Sequence, residues 1–332
     1  MTKEDIAIFH ISDNRRLRYY DNRLEPSMNK SLLELHGIIT VLNTPFTDGD
    51  AVDLPALRRN VRYAIEAGVA GFLVPAMASE VDKLSQEERQ QIVQAVLGEN
   101  GGRVPVIGGA SAGTREERSR IAEALIELGC NGVLAGIPFQ DESQYERDVR
   151  ELDALKPGFL MLQDWDFRGY GLPISLISRL FDEVESFRCL KVEVVPAGVK
   201  YSEVLEATEG RLHVSGGWAV MQIIEALDRG VHAFMPTGMH ELYTRIYSLH
   251  RAGQREEARV LFEQLLPVLA FANQHLDISI HFFKRLLHRQ GIYSTTRIRQ
   301  PVLPFDEVHE RVAEELIRRV IELCRQVREQ GL

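Results

Sequence analysis

From Gly37 onward, short apolar runs alternate with longer stretches whose apolar positions recur every three to four residues. The first pattern suits strands covered on both faces, and the second suits helices with one buried stripe. Together they describe a chain of βα units. Strands are expected over 38–42, 71–75, 104–108, 132–136, 158–162, 189–194, 212–215 and 232–235. Amphipathic helices are expected between them, among them 54–67, 86–97, 115–128, 176–184, 219–229 and 241–252. Several of these helices run into a glycine, as at Gly68, Gly129 and Gly230. Glycine there supplies the left-handed backbone that turns the chain back toward a sheet.

Eight such units within 36–252 match the extent of an α/β fold of the (β/α)8 TIM barrel type. A doubly wound open sheet is the alternative, and the lack of a Gly-x-Gly-x-x-Gly turn after the first strand counts against it. Residues 253–332 hold no further strand pattern. They read as a C-terminal helical extension of three helices, 254–272, 278–290 and 306–329, with Pro301 and Pro304 dividing the last two. Its expected role is to cap the barrel or to face another subunit. Residues 1–35 form an N-terminal extension with a basic, aromatic patch, Arg15-Arg16-Leu17-Arg18-Tyr19-Tyr20. It packs either on its own domain or, as an arm, on a neighbouring subunit.

Composition narrows the class. A chain of 332 residues with 45% hydrophobic content supports a large core. Its 39 basic against 48 acidic residues leave a net charge of −9, unsuited to nucleic acid or an anionic membrane surface. Cys130, Cys189 and Cys324 are scattered, as expected of reduced thiols in the cytoplasm. The N-terminus has no signal-peptide core, and no apolar run is long enough to span a bilayer. The histidines His36, His240, His250 and His309 show no metal-ligand spacing. Neither a metal nor another cofactor is expected.

In a barrel, reactive groups gather at the C-terminal ends of the strands. Lys191, in the run Cys189-Leu190-Lys191-Val192-Glu193-Val194, is the leading candidate. Burying an ammonium is costly, and desolvation favours the neutral amine, which attacks carbonyls to form a Schiff base. The bland reading of the same window is a strand-edge lysine that reaches solvent. Glu193 lies two residues on and shares a strand face with Lys191, either as a proton acceptor or as a salt-bridge partner. Asp164 follows the fifth strand and is a second candidate acid or base. His213 and His232 fall on strands and read as core or barrel-end histidines.

Several stretches carry a family resemblance. Gly37 to Asp50 contains Thr44-Pro45-Phe46 after the first strand, and Glu80 precedes Leu84-Ser85-Gln86-Glu87-Glu88-Arg89. Arg103-Val104-Pro105-Val106-Ile107-Gly108-Gly109, Leu190-Lys191 and the late Arg299-Gln300-Pro301 complete the set. In this order the chain, over about 36–325, resembles the dihydrodipicolinate synthase and N-acetylneuraminate lyase family. That resemblance implies a class I aldolase barrel in which Lys191 forms an imine with a 2-oxo acid. It also implies a homotetramer or homodimer.

Departures from the family are equally plain. The usual Gly-Thr-Thr-Gly-Glu is replaced by Ala76-Met77-Ala78-Ser79-Glu80, Pro-Tyr-Tyr by Pro138-Phe139-Gln140, and Tyr-Asn-x-Pro by Leu162-Gln163-Asp164-Trp165 or a register beside it. The Thr-Tyr-Tyr proton relay is missing. The expected substrate contacts are Met77, Ala78, Ser79, Gln140, Gln163, Arg168, Gly217 and Met235. The expected activity is a Schiff-base lyase or aldolase acting on pyruvate or a 2-keto-3-deoxy sugar acid, and not a true dihydrodipicolinate synthase. The alternatives are a Schiff-base dehydratase or decarboxylase and a non-catalytic barrel that binds small acids.

Overall fold

The computed structural model describes residues 35–329. The expected N-terminal extension therefore lies outside the described residues, apart from Leu35. Eight parallel strands close into a barrel in sequence order: β1 Gly37–Val41, β2 Gly71–Val74, β3 Val106–Gly109, β4 Gly132–Gly136, β5 Leu160–Asp166, β6 Phe187–Val194, β7 His213–Gly216 and β8 Ala233–Phe234. Pairing of Gly37 with Ala233 and of Ile38 with Phe234 joins the last strand to the first. The expected α/β class, a (β/α)8 TIM barrel with a C-terminal helical extension, is the observed one.

The barrel helices are α1 Leu54–Glu66, α2 Gln86–Asn100, α3 Arg115–Glu127, α4 Glu142–Ala154, α5 Ile174–Glu183, α6 Ala197–Ala207, α7 Ile223–Asp228 and α8 His240–Arg251. Their starts follow local chemistry. The Ser85 hydroxyl accepts from the Glu88 amide, and the Glu88 carboxylate accepts from the Ser85 amide at 2.9 Å, so two amides that the helix leaves unpaired are satisfied. The Thr114 hydroxyl and Asp141 carboxylate cap α3 and α4 by accepting from the Glu117 and Gln144 amides. Gly68 and Gly129 take positive φ, +80° and +94°, where the chain leaves α1 and α3. The expected helix at 219–229 divides into a 3-10 turn, Trp218–Gln222, and the short α7.

Alternation along the strands makes two apolar layers. Ile39, Leu73, Ile107, Leu134, Met161, Cys189 and Ala233 fill the barrel interior. Their neighbours Ile38, Phe72, Val106, Val133, Leu162, Leu190 and Phe234 face the helices. Below the interior layer, His36, His213 and His232 stack with ring centroids 5.1–5.8 Å apart.

The extension comprises α9 Arg255–Ala272, α10 Leu276–Arg289 and α11 Glu307–Glu329. One buried charge cluster ties it to the barrel. Lys284 of α10 meets Glu80 in a fully buried ion pair, and its ammonium lies 4.3 Å from the centroid of the Phe46 ring. Glu80 also accepts from the Arg299 amide at 3.1 Å. Burial pulls the Lys284 ammonium down to about 8, against the opposing attraction of Glu80.

Candidate active site

One cavity opens at the C-terminal end of the barrel, and Lys191 and Glu193 stand in its wall. Both project from β6 on the inward face, two residues apart, as the strand period requires. The Lys191 ammonium lies 3.1 Å from the Glu193 carboxylate, and both residues are buried. Gln163 is paired with Lys191 in the β5–β6 register, and its amide nitrogen donates to the same Glu193 oxygen. Glu193 is thus held from two sides while its lysine faces open space.

Gly217 makes room for this group. A methyl on its Cα would lie 1.9 Å from a Glu193 oxygen and 2.6 Å from Lys191 Cε, distances that no packing tolerates. Gly136 does the same for Gln163, with a Cβ position 3.2 Å from its side-chain oxygen. Glycines just after β7 and at the end of β4 are what make room for the long polar side chains on β6 and β5.

Among the expected site residues, Met77, Ala78, Gln163, Lys191, Glu193, Gly217 and Met235 line the cavity together. Four others do not, and each placement corrects an expectation. Asp164 faces outward from β5, where its carboxylate lies 3.1 Å from Lys200 and accepts from the Leu172 amide at 2.8 Å. Burial raises the Asp164 carboxyl above its usual range, and the Lys200 ammonium opposes the rise. It is a structural anchor beneath the helices, one residue out of phase with the cavity. Ser79 is fully buried; its hydroxyl donates to the Leu42 carbonyl at 2.6 Å and accepts from the Ala76 amide at 3.0 Å. Gln140 and Arg168 are exposed on the rim and do not line the cavity.

Further residues join the expected contacts. Ser111, after β3, lines the cavity while its hydroxyl accepts from the Gly136 amide at 2.9 Å. Tyr243 of α8 and Thr237 of the loop after β8 also line it. The C-terminal extension adds Asn273, Leu276, Ser279 and Phe283, so it is a wall of the site as well as a cap. The serine–glycine-rich loop after β3 was a visible signal for Ser111. Nothing in the pattern of α9 and α10 says which part of the barrel they cover.

The Met77 and Ala78 amides open the 3-10 turn Met77–Ser79 and make no hydrogen bond to another described residue. Unpaired amides at such a turn suit an anionic group. With an amine, a carboxylate, an amide side chain and backbone donors, the cavity can hold a small anionic molecule and move a proton beside it.

The sequence pattern of the dihydrodipicolinate synthetase family matches residues 34–320. The chain is 24% identical over 241 residues to the 4-hydroxy-tetrahydrodipicolinate synthase of Methanopyrus kandleri, covering 71% of this chain and 80% of that protein. It is 26% identical over 292 residues to the L-2-keto-3-deoxyarabonate dehydratase of Azospirillum brasilense, covering 85% of this chain and 92% of the relative. The crystal structure of dihydrodipicolinate synthase from Rhodopseudomonas palustris superposes with a TM-score of 0.80 at 21% identity, over 86% of this chain and 98% of that one. With a match that spans most of its length, this chain belongs to the dihydrodipicolinate synthetase family.

Proposed function

We propose that the protein is a class I lyase that binds a 2-oxo acid as an imine on Lys191. The observation that carries this reading is the buried Lys191–Glu193 pair, 3.1 Å apart, in the wall of the cavity. Lys191 is the lysine among the lining residues. For attack, its ammonium gives a proton to Glu193 and the free amine adds to C2 of the oxo acid. Glu193 then returns the proton to the carbinolamine oxygen, which leaves as water and yields the imine. The imine withdraws electrons from the C2–C3 region, which permits cleavage of the bond beyond C3 or loss of a hydroxyl from C4. Glu193 takes the place of the missing hydroxyl relay, and Gln163 keeps its carboxylate aimed at the lysine. The amides of Met77 and Ala78 receive the substrate carboxylate, now that Ser79 is committed elsewhere.

Dehydration is a specific second outcome of the same imine. It is favoured by the similarity to a 2-keto-3-deoxy acid dehydratase along 85% of this chain. In both cases Lys191 is the covalent residue.

Incubation with pyruvate and borohydride, followed by peptide mapping by mass, tests the proposal. The expected adduct sits on the peptide bearing Lys191 and is absent from Lys191→Ala. Glu193→Gln is expected to slow its formation by about 100-fold or more, the usual scale for a lost proton-transfer group. No adduct across a panel of 2-oxo acids, with calorimetric binding that survives Lys191→Ala, would identify a non-catalytic barrel instead.

A further inference from the structure

We infer that Lys284 is a positioning residue for the site: from α10 it holds Glu80 in left-handed backbone and so sets how the Met77–Ser79 turn enters the cavity. The inference rests on the reading of Lys191 as the imine-forming residue.

Glu80 closes the turn with φ +58° and ψ +39°. A Cβ makes that conformation costly, and a non-glycine residue keeps it only where its surroundings over-determine it. The local backbone does part of this. The Glu80 amide donates to the Met77 carbonyl at 3.0 Å, and the Glu80 carbonyl accepts from the Lys83 amide at 2.9 Å. The buried Glu80 carboxylate does the rest. It pairs with the Lys284 ammonium, accepts from the Arg299 amide at 3.1 Å and lies 3.6 Å from the Lys83 ammonium. Lys284 in turn donates to the Arg297 carbonyl at 2.8 Å. Held at its far end, the Glu80 side chain leaves the backbone that carries it little freedom to rotate.

The pair also stands where the extension meets the turn. α10 packs against the Met77–Ser79 turn. Both line the cavity, the turn through Met77 and Ala78 and α10 through Ser279 and Phe283. Phe283 precedes Lys284 and fits against the loop after β8, where a methyl on Gly238 would lie 2.5 Å from its ring. Neither Glu80 nor Lys284 lines the cavity, so each acts through the turn.

Two further bonds tie the turn to the segment after β1. Asn43 donates to the Ala78 carbonyl at 2.6 Å, and Thr44 donates to the Ser79 carbonyl at 2.7 Å. Cutting the Lys284 link therefore loosens the turn where it meets α10, while Lys191 and Glu193 keep their places on β6. The expected sign is a loss of affinity at an unchanged saturating rate.

Borohydride trapping of pyruvate on the full chain supplies the test, read as a half-saturating concentration and a saturating rate, with urea unfolding alongside. Lys284→Met alone strands the Glu80 carboxylate, so two double variants that remove both charges are compared. Lys284→Met/Glu80→Ala keeps a Cβ on the left-handed residue and is expected to raise the half-saturating concentration about tenfold, with the saturating rate within about twofold of the parent. Lys284→Met/Glu80→Gly needs no such hold, because glycine takes positive φ without strain, and is expected to stay within about threefold of the parent. The two proteins differ by one methyl group. A role confined to stability moves the unfolding midpoint and leaves the two concentrations alike. If the double variants do not fold, Glu80→Ala and Glu80→Gly carry the same contrast with Lys284 in place. Equal half-saturating concentrations in the alanine and glycine variants overturn the inference and leave the imine reading intact. Absence of a pyruvate adduct on Lys191 in the parent removes the imine reading, and this inference with it.

Discussion

Lys191 and Lys200 stand nine positions apart, and both are buried, yet the fold treats them in opposite ways. Lys200, on α6, is fully enclosed between sheet and helices. Its ammonium donates to the carbonyls of Tyr170 and Leu172, lies 3.1 Å from the Asp164 carboxylate and sits 4.7 Å from the Tyr170 ring centroid. Every direction around that charge is occupied. Lys191 has one carboxylate at 3.1 Å and a cavity on its other side. Burial alone therefore does not mark a reactive lysine. What singles out Lys191 as the candidate is burial with an open cavity beside it.

Substituting each lysine separates the two roles most sharply. Lys191→Ala is expected to abolish trapping of a 2-oxo acid and leave the fold intact. Lys200→Met should do the reverse. It strands the Asp164 carboxylate without its cation, at a cost of about 3–5 kcal/mol, read as a lower midpoint of urea unfolding, with Lys191 still trapped in the folded protein. Adding Asp164→Asn to that variant should restore part of the lost stability. A Lys200→Met protein as stable as the parent would erase the contrast.

Gly217→Ala crowds the Lys191–Glu193 pair without substituting either charged residue. The new methyl falls within 2.6 Å of Lys191 Cε and closer still to Glu193. Displacement of the pair on the order of 1 Å is expected to slow imine trapping by roughly 100-fold. Undiminished trapping would mean that the geometry around Gly217 does not set the reactivity.

His232 offers a third case, a half-buried base whose charge is refused. Its ring nitrogen accepts from the Val214 amide at 2.9 Å, and burial, followed by the neighbouring His36, lowers its pKa to about 4. The unfolded chain binds this proton below about 6.5, and the native state does not until about 4. Stability is therefore complete above the unfolded value and falls as pH drops through that window, by roughly 2–3 kcal/mol at its foot. His232→Gln keeps an acceptor for the amide and should flatten unfolding midpoints between pH 6.5 and 4. An unchanged slope would assign the acid sensitivity elsewhere.

The strand rhythm was legible because a buried parallel strand must be apolar along its whole length, and eight such runs occur at regular intervals. Lys191 and Glu193 were legible as neighbours on one face for the same local reason, the two-residue period of a strand. Asp164 was not. Whether Gln163 or Asp164 meets the cavity depends on strand register, and a shift of one residue exchanges the faces. The β5–β6 pairing sets Gln163 beside Lys191 and sends Asp164 to Lys200. Ser79 misled in a similar way. A hydroxyl in a rim loop is available to substrate only if the backbone has not claimed it, and Leu42, 37 positions earlier, takes its hydrogen bond.

By itself, the order of apolar and polar residues determined eight βα units, a helical tail and a lysine–glutamate pair on one strand face. These follow from periods and caps that act over a few residues. Only the tertiary structure decided which lysine opens on the cavity, which carboxylate attends it and that Asn273 and Ser279 form part of its wall. Those outcomes depend on contacts between segments far apart in the chain, and no local pattern encodes which surfaces meet.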